Sequence, residues 1–278
     1  MIFLGTGTSS GVPAIGCHCA VCTSSDPRDR RLRTSAAVKW HDPRGVERTV
    51  LIDAGPDLRQ QCLCNGIERL DAILFTHNHV DHTFGLDEVR RFNALQKTPI
   101  DVYADDRTLG FLRRVYQHIF DADQNVNQSF VATLITHRIE ALTAIELYGM
   151  RIVPLPLLHG RLPVLGFRFE ATKAIAQSGI LPMAYCTDLS AVPRETWPFL
   201  EGLSTLVLDG LRHRHHPTHF TIGQATDLAL NVKAKQTWLI HMSHDVSHQE
   251  LDDSLPEGIS PAHDGQVLNE GSQDRSDG

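Results

Sequence analysis

Short apolar runs divided by polar turns open the chain, and each has the length of a strand. The run MIFLG predicts a first strand that passes into the small-residue turn TGTSSG. That turn lacks the G-x-x-x-x-G-K-[ST] spacing of a phosphate-cradling loop. The polar stretch 24–34, SSDPRDRRLRT, predicts a surface loop. SAAVKW and RTVLIDAG then flank HDPRG as the two strands of a hairpin. DLRQQCLCNGI predicts a helix stopped by Gly66, and LDAILFTH a buried strand. Leu86, Val89 and Phe92 share one face of a predicted helix in GLDEVRRFNAL, which is followed by the strand PIDVYA. Residues 105–120 predict another helix, capped by Asp105 or Asp106, with Leu109, Leu112 and Val115 buried. Residues 121–130 read as an exposed connection.

Beyond about residue 150 the alternation repeats in kind, without literal sequence repetition. MRIVPLPLLHG, LPVLGFRFEA, PMAYCTDLS, LSTLVLDGL and QTWLIHMSHD predict strands, and TIGQATDLALNV a helix. The polar residues 269–278 predict a disordered tail. Strand-rich sequence followed by strand–helix alternation points to an α/β layered protein with a mixed sheet. Histidines and aspartates recur where the strands end, which is where α/β proteins place their sites.

Composition narrows the class. The 278 residues suit one large domain or two small ones, and 41% apolar content marks an ordinary globular chain. Net charge is −7, with 26 Lys and Arg against 33 Asp and Glu, which argues against a broad nucleic-acid surface. No apolar run reaches membrane-spanning length, and the N-terminus lacks the basic start of a secretory leader. A cytoplasmic, reducing location is therefore expected. Six cysteines are too few for a disulfide scaffold, and C-x-C-x-x-C over Cys17, Cys19 and Cys22 suits thiolates converging on a metal.

The densest chemistry lies in LFTHNHVDH, residues 74–82, which holds His77, His79, Asp81 and His82. A buried strand precedes it, so the segment is held rigidly. In extended backbone His77 and His79 point to the same side, and Asp81 and His82 then turn onto the next face. Two ligand pairs from one turn suit two neighbouring metals, and imidazole with carboxylate suits Zn²⁺, Mn²⁺ or Fe²⁺. Two metals need further ligands. His159, Asp188 and His241 stand at later strand ends, and Asp188 can bridge because a carboxylate has two oxygens. Taken singly, His159 also reads as a solvated loop histidine and Asp188 as a helix cap.

T-H-x-H-x-D-H over residues 76–82 resembles the metal motif of the metallo-β-lactamase superfamily of hydrolases, and Asp53, His159, Asp188 and His241 follow in its order. The resemblance covers residues 1–268 and implies one metallo-hydrolase domain with a four-layer αβ/βα sandwich and an N-terminal zinc loop at 15–24. GTGTSSGVPAIGCHCAVC, HPTHFTIGQA and TWLIHMSHD further resemble its cyclic-phosphodiesterase branch, typified by the phosphoribosyl cyclic phosphate phosphodiesterase of phosphonate degradation. That likeness implies one metal on His77, His79, His159 and Asp188, and a second on Asp81, His82, Asp188 and His241, as Zn or Mn. It implies a structural Zn on Cys17, Cys19, Cys22 and His244, catalytic roles for Asp81 and His219, and Asp53 as an acid supporting the ligands. It also implies a homodimer. Independently, three thiolates need a fourth ligand; His244 can supply it from beside His241, whereas His18 is poorly placed inside so tight a loop.

The implied reaction opens a small anionic, cyclic phosphodiester to a monoester. Two metals would acidify the attacking water, and His219 would neutralise phosphoryl charge or protonate the leaving oxygen. His213, His215 and His216 are alternatives to His219. Arg212 and Arg214, with His215 and His216, are candidates for phosphate binding, unless LRHRHH is only a solvated loop. Three rival readings remain: a transfer-RNA 3′-processing nuclease, for which no basic insertion is visible; a pyrroloquinoline quinone biosynthesis protein, which shares the N-terminal cysteines; and a non-catalytic metal-binding protein.

Overall fold

The computed structural model describes residues 1–126 and 130–269. The predicted tail, apart from Asn269, lies outside the described residues, as does part of the predicted connection 121–130. β1 (Ile2–Gly5) pairs antiparallel with β2 (Ser35–His41), which forms the expected hairpin with β3 (Glu47–Ile52). β4 (Ala72–Leu74), β5 (Ile100–Ala104) and β6 (Leu134–Arg138) extend this sheet in parallel. In the second sheet, β7 (Ile145–Leu147), β8 (Met150–His159), β9 (Leu162–Ala171) and β10 (Met183–Cys186) pair antiparallel in turn. β11 (Thr205–Asp209), β12 (Gln236–Ile240) and β13 (Ile259–Pro261) join β10 in parallel.

Strand periodicity sorts the side chains into three cores. Val50 and Ile52 of β3 meet Phe167 and Phe169 of β9 between the sheets, whereas Leu51 faces outward. Each fully buried Phe contributes about 2–3 kcal/mol by leaving water. The outer face of the first sheet is covered by α1 (Leu58–Cys64), α3 (Arg90–Gln96), α4 (Asp106–Val115) and α5 (Gln117–Phe120); α2 (Val80–Thr83) carries Asp81 and His82. Leu206 and Leu208 of β11 face α6 (Ile222–Val232) and α7 (His248–Ser254) on the other side. Helix, sheet, sheet and helix make the expected four-layer αβ/βα sandwich.

Several local expectations are corrected. The helix expected over 105–120 breaks at Tyr116, whose hydroxyl donates to the Thr83 carbonyl. Val115 is 39% exposed because the buried stripe runs through Leu109, Leu112 and Tyr116, off which it falls. Asp105, not Asp106, caps α4 by accepting from the Thr108 N–H. In the predicted surface loop 24–34, Arg31 is 1% exposed and donates to Asp29 and to the Ser243 carbonyl.

Candidate metal centre

The functional side chains gather at one edge because the strands carrying them run the same way. β3 and β4 are parallel, as are β10, β11 and β12; β8 matches β10 because both are antiparallel to β9. Their C-terminal ends present Asp53, His77, His159, Asp188, Asp209 and His241. Asp53, Asp188 and His241 adopt left-handed backbone, with φ of 63°, 51° and 60°. Each such non-glycine residue costs roughly 1–2 kcal/mol and turns the chain sharply as it leaves its strand.

Asp53 organises the histidine segment. Its carboxylate accepts from the Thr76 N–H and hydroxyl, both at 2.8 Å, and from His82 Nδ1 at 2.7 Å. The Thr76 oxygen in turn accepts from His77 Nδ1 at 2.9 Å. Close packing fixes the segment further: a Cβ on Gly55 would stand 2.1 Å from the Asp81 carbonyl oxygen. Only glycine lets the two loops approach so closely.

The structure brings all seven predicted ligands together. One donor atom each of His77, His79 and His159 lie within 4.8 Å of one another, as do those of Asp81, His82, Asp188 and His241. Asp188 stands between the groups. Its oxygens lie 3.3 Å from His82 Nε2, 3.2 Å from His241 Nε2 and 4.0 Å from His77 Nε2. His159 Nδ1 donates to the Thr218 carbonyl at 2.7 Å. With Nδ1 so engaged, His77, His82 and His159 turn Nε2 towards the cluster. The Nε2 atoms of His77, His82 and His241 are buried with no hydrogen-bond partner among the described residues. A buried polar atom left so costs about 1–3 kcal/mol. Imidazole lone pairs around shared carboxylates fit divalent cations of the Zn or Mn kind.

The electrostatics divide the donor set: His77, His79 and His159 are held low, whereas the neighbouring carboxylates, Asp188 first, outweigh burial and push His82 well above the usual histidine range and His241 up to about 9. Burial, helped by the neighbouring His82, holds His77 well below the usual histidine range, and burial likewise lowers His79 and His159. These rings are therefore neutral and offer lone pairs. Burial would raise Asp188, but His241 and His82 outweigh it and keep the carboxyl well below the usual range.

Asp209 is the residue that sequence reasoning missed. Its Oδ2 accepts from His219 Nδ1 at 2.8 Å and from the Leu189 N–H at 2.9 Å, while Oδ1 lies 3.8 Å from His241 Nδ1. One buried carboxylate thus anchors the residue after Asp188, orients His219 and abuts a predicted ligand. The signal was present: VLDG, ending β11, echoes LIDAG, ending β3. His219 is buried, with its ring 4.5 Å from His159 and 4.6 Å from His241. Of its neighbours, His216 lies against it at 5.1 Å, whereas His213 and His215 are exposed. Arg212 donates to the Arg214 and His215 carbonyls. Asp245 lies 3.7 Å from Arg212 and 3.2 Å from Arg214, which offsets their charge.

The cysteines form a separate cluster with His244. Their four donor atoms lie within 4.8 Å of one another, and His244 Nδ1 is 3.3 Å from Cys17 Sγ and 3.4 Å from Cys19 Sγ. The backbone N–H of Cys22 points at Cys19 Sγ and, with His244, draws that thiol down to about 6. His18 is not among the four. Thr6 accepts from the Met242 N–H, and Met242 accepts from the Thr8 N–H, so the N-terminal loop is strapped to the chain between His241 and His244.

Comparison with known proteins places the chain. The Beta-lactamase superfamily domain matches residues 48–242. The chain is 35% identical over 266 residues to an octanoyltransferase of Porphyromonas gingivalis, covering 95% of this chain but only 50% of that protein. It is 30% identical over 233 residues to coenzyme PQQ synthesis protein B of Methylobacterium nodulans, covering 75% of this chain and 72% of that one. Among solved structures, a diphosphatase from the PhnP family is 42% identical, with a TM-score of 0.84 over 96% of this chain and 95% of that one. No helix among the described residues is long and apolar enough to cross a membrane.

Proposed function

The chain belongs to the beta-lactamase superfamily, and from that premise we propose that it is a two-metal hydrolase of a small phosphodiester. A cyclic ester opened to a monoester is the leading substrate. The observation that carries this reading is the meeting of two donor groups at Asp188, beside a histidine oriented by a buried carboxylate. His77, His79, His159 and Asp188 would hold one cation, and Asp81, His82, Asp188 and His241 the other. Cys17, Cys19, Cys22 and His244 would hold a structural Zn. Two active-site cations supply positive charge to a phosphoryl group and acidify water.

The chain's own groups do the rest. Asp53, Thr76 and the Thr218 carbonyl set the ring orientations, so that the donor atoms are fixed before substrate arrives. The Asp81 carboxylate is anionic, because His82 and His241 outweigh the effect of burial, and it can take a proton from the attacking water. His219, with Nδ1 directed at Asp209, presents Nε2 for a proton that reaches a phosphoryl or leaving oxygen. A second reading, cleavage of a diphosphate, is supported by the 42% identical relative described as a diphosphatase. A diester and the esterified phosphorus of a diphosphate ester alike carry two bridging oxygens.

The test is turnover of bis-p-nitrophenyl phosphate with metal content measured on the same sample, for wild type, Asp188→Ala and His219→Ala. Activity with about three metals per chain, abolished by the first substitution and reduced by the second, is the expected result. Full metal content without turnover would overturn the reading and direct attention to thioesters and pyrroloquinoline precursors. A panel of cyclic ribose phosphates and nucleoside diphosphates would separate the two phosphate readings.

A further inference from the structure

β10 leaves its sheet through Cys186, Thr187 and Asp188, and all three are buried. Asp188 carries the carboxylate at which the two donor groups meet. The terminal rotation of an aspartate is soft, with broad wells, and its two oxygens are chemically alike. The backbone after Asp188 is fixed, because Asp209 holds the Leu189 N–H. That contact leaves the plane of the carboxylate unset, and a second hold is needed to direct it into the cluster.

Thr187 supplies that hold. Its hydroxyl donates to Asp188 Oδ1 at 2.7 Å, away from water. A hydroxyl has one proton, and here it goes to Asp188, at the short length typical of a hydroxyl on a carboxylate. The same Oδ1 lies 3.3 Å from His82 Nε2. Oδ2 lies 3.2 Å from His241 Nε2 and 4.0 Å from His77 Nε2. Those two rings belong to different donor groups. The hydrogen bond therefore distinguishes the oxygens: Oδ1 meets the threonine proton, and Oδ2 is turned to the gap between the groups. A similar device stands at the end of β4, where the Thr76 hydroxyl donates to Asp53 and its oxygen accepts from His77 Nδ1. At both strand ends a buried threonine suits the extended backbone, and its hydroxyl sets the residue that follows.

We propose that Thr187 is a positioning residue for the bridging carboxylate: its hydroxyl holds the plane of Asp188 so that Oδ2 serves both cations. The proposal rests on the two-cation reading of the site and not on which bond is cut. The competing role is packing, in which the threonine methyl matters and the proton does not. Thr187→Val keeps the shape and removes the proton, whereas Thr187→Ser keeps the proton and removes the methyl. Thr187→Ala removes both, and its comparison with Thr187→Ser isolates the hydroxyl should the valine variant fail to fold. Metal-free wild type and variants would be titrated with Zn²⁺ against a chromogenic chelator, with Tm read before and after loading. Turnover of bis-p-nitrophenyl phosphate would be measured on the loaded proteins.

Thr187→Val and Thr187→Ala are expected to bind the cations at Asp188 roughly 10- to 100-fold more weakly, and to keep the metal on the cysteine cluster. Thr187→Ser is expected to recover most of the affinity. Weakened binding rescued by serine, with no diester hydrolysed even by loaded wild type, would support Thr187 and refute only the proposed reaction. Unchanged affinity in Thr187→Val, or serine as weak as alanine, would overturn the positioning role. So would a loss spread equally over all the metals with a lower Tm of the metal-free protein. Wild type that takes up no metal beyond the cysteine cluster would overturn the two-cation reading and this role together.

Discussion

Replacing Asp209 by asparagine isolates a residue that touches the candidate centre only through others. The carboxylate is fully buried, and one of its oxygens serves two donors, His219 Nδ1 and the Leu189 N–H. Asparagine keeps the shape, but its single carbonyl oxygen is a weaker acceptor and its amino group faces a donor in one of its two orientations. If the oxygen takes the place of Oδ2, Leu189 and His219 share a neutral, weaker acceptor; if the amide flips, its amino group faces both donors and His219 is driven to the other tautomer. A buried donor left unmatched costs about 1–3 kcal/mol. Loss of a group that orients an active-site histidine typically lowers activity roughly 10- to 100-fold, or about 1.4–2.7 kcal/mol of transition-state stabilisation. The expected result is a fall of that size in kcat/KM for bis-p-nitrophenyl phosphate, with a changed pH profile and metal content close to wild type. A purely structural role would lower Tm and leave the folded fraction's pH profile alone. The double variant Asp209→Asn with His219→Ala should be no worse than His219→Ala, because both changes remove one unit. Additive losses, or activity within about twofold of wild type, would refute the argument.

Other perturbations probe the supports of the site. Gly55→Ala puts a Cβ 2.1 Å from the Asp81 carbonyl, so overpacking should cost roughly 1–3 kcal/mol or more; differential scanning calorimetry should show a lower Tm together with reduced metal content. Cys19→Ala should remove about one metal equivalent by elemental analysis and lower Tm, because the cluster closes the N-terminal loop onto the His244 segment; unchanged zinc would refute the assignment. Burial, with Arg28 and Arg31 nearby, holds His248 down to about 4, so the fold favours its neutral form. That contribution is complete above the unfolded value near 6.5 and is lost as pH falls through about 4. Wild type should therefore lose about 2–3 kcal/mol more than His248→Gln between pH 7 and 4, read by urea unfolding; parallel pH curves would show that His248 does not titrate between the two states.

The candidate site was legible wherever one strand and the turn after it sufficed. His77, His79, Asp81 and His82 need only β4 and the short α2 to place them. His159, Asp188 and His241 could be read only jointly, through the shared feature that a strand stops at each. Asp209 escaped because it closes an apolar run that reads as plain strand, and its partner His219 lies ten residues away in a loop. Polarity misled in 24–34, where Arg31 is buried because its charge is met by Asp29 two residues away. The short strands β6, β7 and β13 have no decisive pattern of their own; their neighbours' unpaired backbone groups recruit them.

The backbone also helps to explain why these residue types stand at these ends. A chain leaving a sheet edge abruptly needs left-handed backbone at the last position, and glycine is the cheapest residue there. Among the others, Asn, Asp and His tolerate it best. Asp53, Asp188 and His241 satisfy that local requirement and also bring the carboxylates and the imidazole that the cluster uses. Glycine would relieve the turn and empty the site. A β-branched residue would keep the strand but resist the turn. Asp and His are thus favoured twice, by conformation and by chemistry. The two selections coincide most clearly at Asp188, where left-handed backbone, at φ 51°, carries the carboxylate that both donor groups approach.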